Sequence, residues 1–269
     1  MVSLEIEARL DNLLATTQEE TANVDLFAPI PEREECPICM IPLPMKVNGT
    51  TFMYCCGKMV CFGCIYKNIL REKANLREKL NTDPSKVGLC AFCRQPIRSK
   101  NYTKRLRKLM KKNHPKAFME MAESYKEGTN DVFQSDTKAL EMYIRAAELG
   151  EASAFGYIGQ SYDDGMVVEQ DHSKAIEYYE LAAKKGSIAA HGCLAHLAEE
   201  AGNNQSSIGH WKVAASAGDQ GAMDNLMNAY KGKLLSKEDL SQTLRAYQVT
   251  SNEMKSKDRD EAKSYQEQN

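Results

Sequence analysis

Eight of the nine cysteines lie between Cys36 and Cys93, in four pairs: Cys36/Cys39, Cys55/Cys56, Cys61/Cys64 and Cys90/Cys93. Three pairs are CxxC, a spacing that lets two thiolates of one turn reach a single tetrahedral Zn²⁺ at about 2.3 Å from each sulfur. All five histidines (His114, His172, His191, His196, His210) fall beyond this stretch, so the local ligand set is all sulfur. Eight thiolates fill two four-sulfur sites with none left over, which implies two Zn²⁺. The competing chemistry, a disulfide framework, requires a secretory context. The N-terminal MVSLEIEARLDNLLATTQEE has acids where a signal peptide needs a basic start, and no apolar run. A reducing compartment, cytoplasmic or nuclear, is therefore expected.

The rest of the chain must position these thiols. With 269 residues, 42% hydrophobic and 27% charged, it has room for one small metal module and a separately packed domain. The net charge of −2 selects no class of partner, and no apolar run approaches the roughly 20 residues that cross a bilayer. Residues 1–35 read as a flexible acidic leader with a short helix over residues 3–15, and the alternative use of its leucines is a dimerisation helix. After Cys64, IYKNILREKANLREKL reads as a helix with Ile65, Ile69, Leu76 and Leu80 on one face, broken by Asp83-Pro84. Residues 98–114 form a basic connector helix within a block, RSKNYTKRLRKLMKKNHPK, that holds nine Lys or Arg and no acid. Such a block reads first as a solvated face. Contact with a nucleic-acid backbone and steering of an acidic protein partner are the sharper alternatives, but with little aromatic interleaving nucleic acid is not the expected partner.

After Pro115 the sequence repeats at about 36 residues, visible when Gly150, Gly186 and Gly218 are aligned. The first helix of each unit carries small and apolar residues at matching places: Ala117, Met121, Ala122, Tyr125; Ala154, Ile158, Gly159, Tyr162; Ala190, Leu194, Ala195, Ala198; Ala222, Leu226, Met227, Tyr230. The second helix places Tyr143, Tyr179 or Trp211 seven positions before its closing glycine, followed by the pairs Ala146-Ala147, Ala182-Ala183 and Ala214-Ala215. These are packing positions. Ser236 to Asp239 fits a capping box that opens the last helix, and the polar tail 258–269 reads as a fraying end cap of the stack. Cys193 stands alone on a helix as a small buried thiol, and the scattered histidines of the repeats lack metal spacing.

The segments ECPICMIPLP, YCCGKMVCFGC and CAFCRQPI resemble a RING finger of the all-cysteine subclass, placed at residues 36–97. The resemblance implies a cross-brace in which Cys36, Cys39, Cys61 and Cys64 hold the first zinc, and Cys55, Cys56, Cys90 and Cys93 the second. Lys58 stands where the common subclass has histidine, so Cys55 must supply the missing sulfur or the second site is incomplete. The stretch AFGYIGQSYDDGMVVEQDHSKAIEYYELAAKKG is similar to a Sel-1-like repeat, a relative of the tetratricopeptide repeat, and this implies helical hairpins stacked over 115–257. The expected fold is thus mainly α: a small zinc-bound RING-like α+β module followed by a helical solenoid.

No Ser/His/Asp order, phosphate-cradling loop or supported carboxylate pair appears, so the sequence offers no nucleophile of its own. The RING resemblance implies a ubiquitin-protein ligase, which needs none: it holds a ubiquitin-charged conjugating enzyme in a reactive pose. It assigns Ile38 and Phe92 as contacts to that enzyme, Arg94 as the link to ubiquitin, and the repeats as the site of a substrate or adaptor. Ile38 and Phe92 read equally as core of a small module, and Ala91 replaces the proline common in the family. The rivals are a non-enzymatic, zinc-dependent interaction scaffold and a nucleic-acid-associated zinc protein using residues 98–116.

Overall fold

The computed structural model describes residues 4–31, 33–44, 50–78, 89–95 and 101–267, with the side chains of 73–78 and 267 excepted. The chain divides into two units: Met1–Pro31 with Phe118–Thr250, and Glu32–Ala117 with Ser251–Asn269.

The first unit is built from helical hairpins. Helices α4 (Pro115–Glu127) and α5 (Asp136–Glu148), α6 (Ala152–Asp164) and α7 (His172–Lys184), α8 (Ile188–Glu200) and α9 (Asn204–Ser216), and α10 (Gln220–Lys231) and α11 (Lys237–Glu253) follow in order. Local chemistry sets the ends. Gly150, Gly186 and Gly218 take φ of 87°, 92° and 93°, a left-handed conformation that side chains resist. Each lets the following N–H reach back to a helix carbonyl, as Glu151 does to Ala146 at 3.0 Å. Asp171, Asn203 and Asp219 open their helices by accepting from the backbone N–H groups of Lys174, Ser206 and Ala222. Ser236 caps α11 as its sequence suggests, accepting from Asp239 N–H at 3.0 Å.

The repeat positions form the core. Tyr143, Tyr179, Trp211 and all three alanine pairs are buried. Gly159 shows why small residues recur there: a Cβ would stand 3.0 Å from the Tyr179 ring and 3.1 Å from the Ala175 carbonyl oxygen. The third hairpin, which lacks the longer loop, turns through Gly202 at φ 73°. The fourth unit departs from the pattern, because Met227 and Tyr230 are exposed where their counterparts pack.

The N-terminal stretch corrects the expectation of a free leader. Its helix α1 runs Leu4–Glu20, packs on α5 and α7, and buries Ile6, Leu10 and Leu13. Tyr178 Oη donates to the Leu10 carbonyl at 2.7 Å, and Arg9–Glu148 (2.7 Å), Lys174–Asp11 (2.8 Å) and Lys185–Glu20 (3.1 Å) rim the contact. Leu10 and Leu13 are docked within the chain.

The second unit contains strands β1 (Thr50–Met53) and β2 (Lys58–Cys61), an antiparallel hairpin with Thr50 opposite Cys61 and Met53 opposite Lys58. Helix α2 (Phe62–Glu78) follows directly, with Ile65 buried and Ile69 packed beside it. The Leu76 side chain, Leu80 and the Asp83-Pro84 break lie outside the described residues. Within the connector, α3 (Tyr102–Met110) buries Leu106 and Leu109 and leaves Lys104, Arg107, Lys108, Lys111 and Lys112 exposed. It packs on the hairpin through Tyr102 against Tyr54, ring centroids 4.5 Å apart.

The tail expected to fray at the end of the stack is instead helix α12 (Lys257–Glu267), which lies in the second unit against α2. Its charged sequence conceals a short apolar face: Ala262 is buried and Tyr265 meets Tyr66. No described helix is long and apolar enough to cross a membrane.

Candidate metal centre

Two knuckles of the same construction begin and end the cysteine-rich stretch. In the first, Cys36 N–H donates to the Ile41 carbonyl (3.0 Å) and Met40 N–H returns to the Cys36 carbonyl (2.9 Å). In the second, Cys90 N–H donates to Gln95 (2.8 Å) and Arg94 N–H returns to Cys90 (3.0 Å). Met40 and Arg94, each directly after the second cysteine of its pair, share φ of 56° and 58°. Such a turn presents both sulfurs of a CxxC to the same side. Cys61 ends β2 and Cys64 sits in the first turn of α2, while Cys55 and Cys56 occupy the hairpin turn closed by Gly57 at φ 75°.

The pairs come together alternately. Cys36, Cys39, Cys61 and Cys64 form one quartet and Cys55, Cys56, Cys90 and Cys93 the other, with the ligand atoms of each quartet all within 4.8 Å of one another. All eight thiols are free. The Cys39–Cys61 and Cys56–Cys90 sulfurs are 3.8 and 3.7 Å apart. Sulfurs joined in a disulfide would be about 2.05 Å apart. The edge of a tetrahedron whose centre lies about 2.3 Å from each corner is about 3.8 Å. Each quartet therefore fits one four-coordinate, thiophilic metal ion.

The thiols of each quartet differ in their tendency to ionise. Burial pushes the Cys36 thiol up, but donation from the N–H groups of Cys61, Cys39 and Ile38 outweighs it and lowers the thiol to about 7. Burial raises Cys39 and Cys64 in the same quartet. In the second quartet Cys90 is lowered against its burial by the N–H groups of Cys93 and Phe92. Burial and neighbouring thiols raise Cys55, and burial takes Cys56 to about 11.

Lys58 takes no part in either quartet. It is exposed, and its ammonium lies 4.4 Å from the centre of the Phe92 ring, a cation–π contact. The turn thus contributes the adjacent Cys55 and Cys56 to the second quartet. Ile38, between the first two cysteines, is 42% exposed and is not part of the core of the module. Phe92 is half-buried, packed on the cysteine core. The Arg94 side chain is 64% exposed and reaches Glu72 at 3.5 Å.

Two supports were not marked in the sequence. Glu72 Oε2 accepts from Leu89 N–H (3.0 Å), fixing the entry to the last pair. His114 Nε2 bonds the Gly57 carbonyl (2.9 Å), where a Cβ on Gly57 would come within 2.7 Å of the ring. Both join residues far apart in the chain, and no spacing signals them.

Residues 115–151 and 157–187 match the family model described as Sel1 repeat. A Sel1 repeat protein from Oxalobacter formigenes is similar at 30% identity and a TM-score of 0.50, covering 59% of this chain and 66% of that one. The protective antigen c5321 of uropathogenic Escherichia coli, described as displaying an SLR fold, has 21% identity and a TM-score of 0.48, over 69% of this chain and 38% of that one. The immunity protein Pa5087 of Pseudomonas aeruginosa is at 16% identity and 0.34, over 69% and 82%. The chain thus spans less than two thirds of the first two structures. No curated protein matches it. The chain carries Sel1 repeats in a mainly helical fold, a repeat class that mediates protein–protein contacts.

Proposed function

We propose that the chain is a RING-type protein with two structural Zn²⁺ ions that acts as a ubiquitin-protein ligase, its Sel1 repeats recruiting a substrate or adaptor. The observation that carries this reading is the alternation of the quartets, first pair with third and second with fourth, each at the edge length of a sulfur tetrahedron. Zinc held there supplies cross-links between loops and α2, and no step of the reaction. Few apolar side chains support the fold otherwise: Leu43, Met53, Val60 and Ile65 are the buried non-cysteine members of that cluster.

The chain's own part is positioning. Exposed Ile38 offers an apolar anchor for a conjugating enzyme. Arg94 offers a planar fork of donors, and its side chain is 64% exposed and lies 3.5 Å from Glu72. Immobilising a ubiquitin thioester against an incoming amine lowers the barrier by proximity alone. A non-enzymatic scaffold is favoured by one observation, the Lys58 ammonium over the Phe92 ring, which takes up a face the contact would use.

Discharge of ubiquitin from a charged conjugating enzyme separates the two. Arg94→Ala should keep both zincs and the fold yet remove most discharge, because its contact is made chiefly in the reactive pose. Ile38→Ala should weaken binding of the uncharged enzyme by roughly 1–3 kcal/mol. A zinc-loaded wild-type protein that discharges no member of a broad enzyme panel leaves the scaffold as the function.

A further inference from the structure

The first knuckle is held from 217 residues away. Helix α12 comes so close to α2 that a Cβ on Gly63 would stand 2.9 Å from the Arg259 nitrogen and from the Asp258 carbonyl carbon. A Lys67–Asp258 ion pair at 2.5 Å and the Tyr66–Tyr265 ring contact at 5.1 Å fix the helix along its length. This docking delivers the Arg259 guanidinium to the first cysteine pair. Its Nη1 donates to the carbonyls of Pro42 (2.8 Å) and Met254 (2.7 Å), and its Nη2 to the carbonyl of Ile41 (3.2 Å). Nη2 also lies 3.8 Å from Cys39 Sγ. The Ile41 carbonyl is the one that closes the knuckle by accepting from Cys36 N–H.

We propose that Arg259 is a positioning residue of the first metal site, and that α12 is therefore part of the metal centre. The inference rests on the zinc reading above. A divalent ion with four thiolates carries a net charge of −2, and a fixed guanidinium beside one sulfur offsets part of it. A charge-assisted N–H···S bond also withdraws electron density from Cys39, making it a poorer nucleophile toward electrophiles in solution. The bonds to the Ile41 and Pro42 carbonyls hold the turn that aims Cys36 and Cys39 together. Outer-shell partners of this kind typically govern metal retention by 10–100-fold.

The test uses the full-length, zinc-loaded protein. Zinc release to the chromophoric chelator 4-(2-pyridylazo)resorcinol is followed in wild type, Arg259→Ala, Arg259→Lys and Gly63→Ala, with iodoacetamide labelling of each cysteine read by peptide mass spectrometry. In Arg259→Ala one of the two zincs should leave about tenfold faster or more, the other at the wild-type rate, and Cys39 should label before Cys36. Arg259→Lys keeps the charge but not the fork, and should restore slow Cys39 labelling more than slow release. Gly63→Ala displaces α12 while retaining the arginine, and should reproduce the selective loss if Arg259→Ala fails to fold. Release of both zincs at wild-type rates, or equal acceleration of both with no preference for Cys39, would overturn the inference. A wild-type protein that binds no zinc would instead bring down the zinc reading, and this inference with it.

Discussion

Acidification should destabilise the repeat unit through two buried histidines. His191 on α8 and His210 on α9 face each other with their Nδ1 atoms 3.1 Å apart, 1% and 3% exposed, and the Phe27 ring covers His210 at 4.8 Å. Such a contact needs one Nδ1 to donate and the other to accept, so at least one ring is neutral, since a protonated ring has only donors. Burial, joined at His191 by repulsion from His210, lowers each to about 4. The folded values lie below the ordinary value of about 6.5. Protons therefore bind the unfolded chain first, and the stability present above pH 6.5 is lost as pH falls from there toward 4. A pH of 5 lies ~1.5 units below the unfolded value and above the folded ones, so each ring has lost about 2 kcal/mol at 1.36 kcal/mol per unit, and the pair ~4 kcal/mol. That is a large share of a net stability of about 5–15 kcal/mol. Trp211, the single tryptophan, adjoins His210 and reports this unit alone. Urea unfolding followed by its fluorescence at pH 7 and pH 5, in wild type and in the His191→Gln/His210→Gln variant, isolates the histidine contribution. Wild type should lose 2–4 kcal/mol more than the variant, an order-of-magnitude figure from those two shifts. A difference below about 1 kcal/mol, within the scatter of such measurements, would refute the reasoning.

Leu10→Ala should weaken docking of α1 by ~2–5 kcal/mol, so limited proteolysis should cut residues 4–20 early while α4–α11 resist. An unchanged digestion pattern would mean that α1 is held by its rim of ion pairs. Gly159→Ala should destabilise the repeat unit by ~1–3 kcal/mol, because its methyl meets the Tyr179 ring and the Ala175 carbonyl. A variant as stable as wild type in urea would show that the α6–α7 contact is loose. Chelation of the metal should unfold the cysteine-rich region while Trp211 keeps its native emission, since binding energy is folding energy in so small a module. Simultaneous loss of both signals would contradict that separation.

The thiol chemistry was legible because CxxC spacing is a local property, and the solenoid because its small residues and glycines recur at a fixed period. The expected burial of Tyr143, Tyr179 and Trp211 follows from that register. What the linear text hides are partnerships across long separations. The leucines of α1 carry no mark of the α5–α7 face they cover, and the same pattern would serve a leader or a dimer. The C-terminal run KSKDRDEAKSYQEQN is so polar that a solvated cap is its natural reading, yet Ala262 and Arg259 bind it to α2 and the first knuckle. Met227 and Tyr230 keep the repeat's residue types without its burial, an exposure that the pattern alone does not show.

The most direct test of the account is the metal itself. Native mass spectrometry of the full chain should find two zinc ions, and X-ray absorption at the zinc edge should find four sulfur neighbours at about 2.3 Å with no nitrogen or oxygen ligand. Serine in place of Cys55 should leave the first site intact and admit a lighter ligand at the second. A single zinc per chain, or a shell containing histidine nitrogen, would contradict the paired all-sulfur quartets on which the proposed function rests.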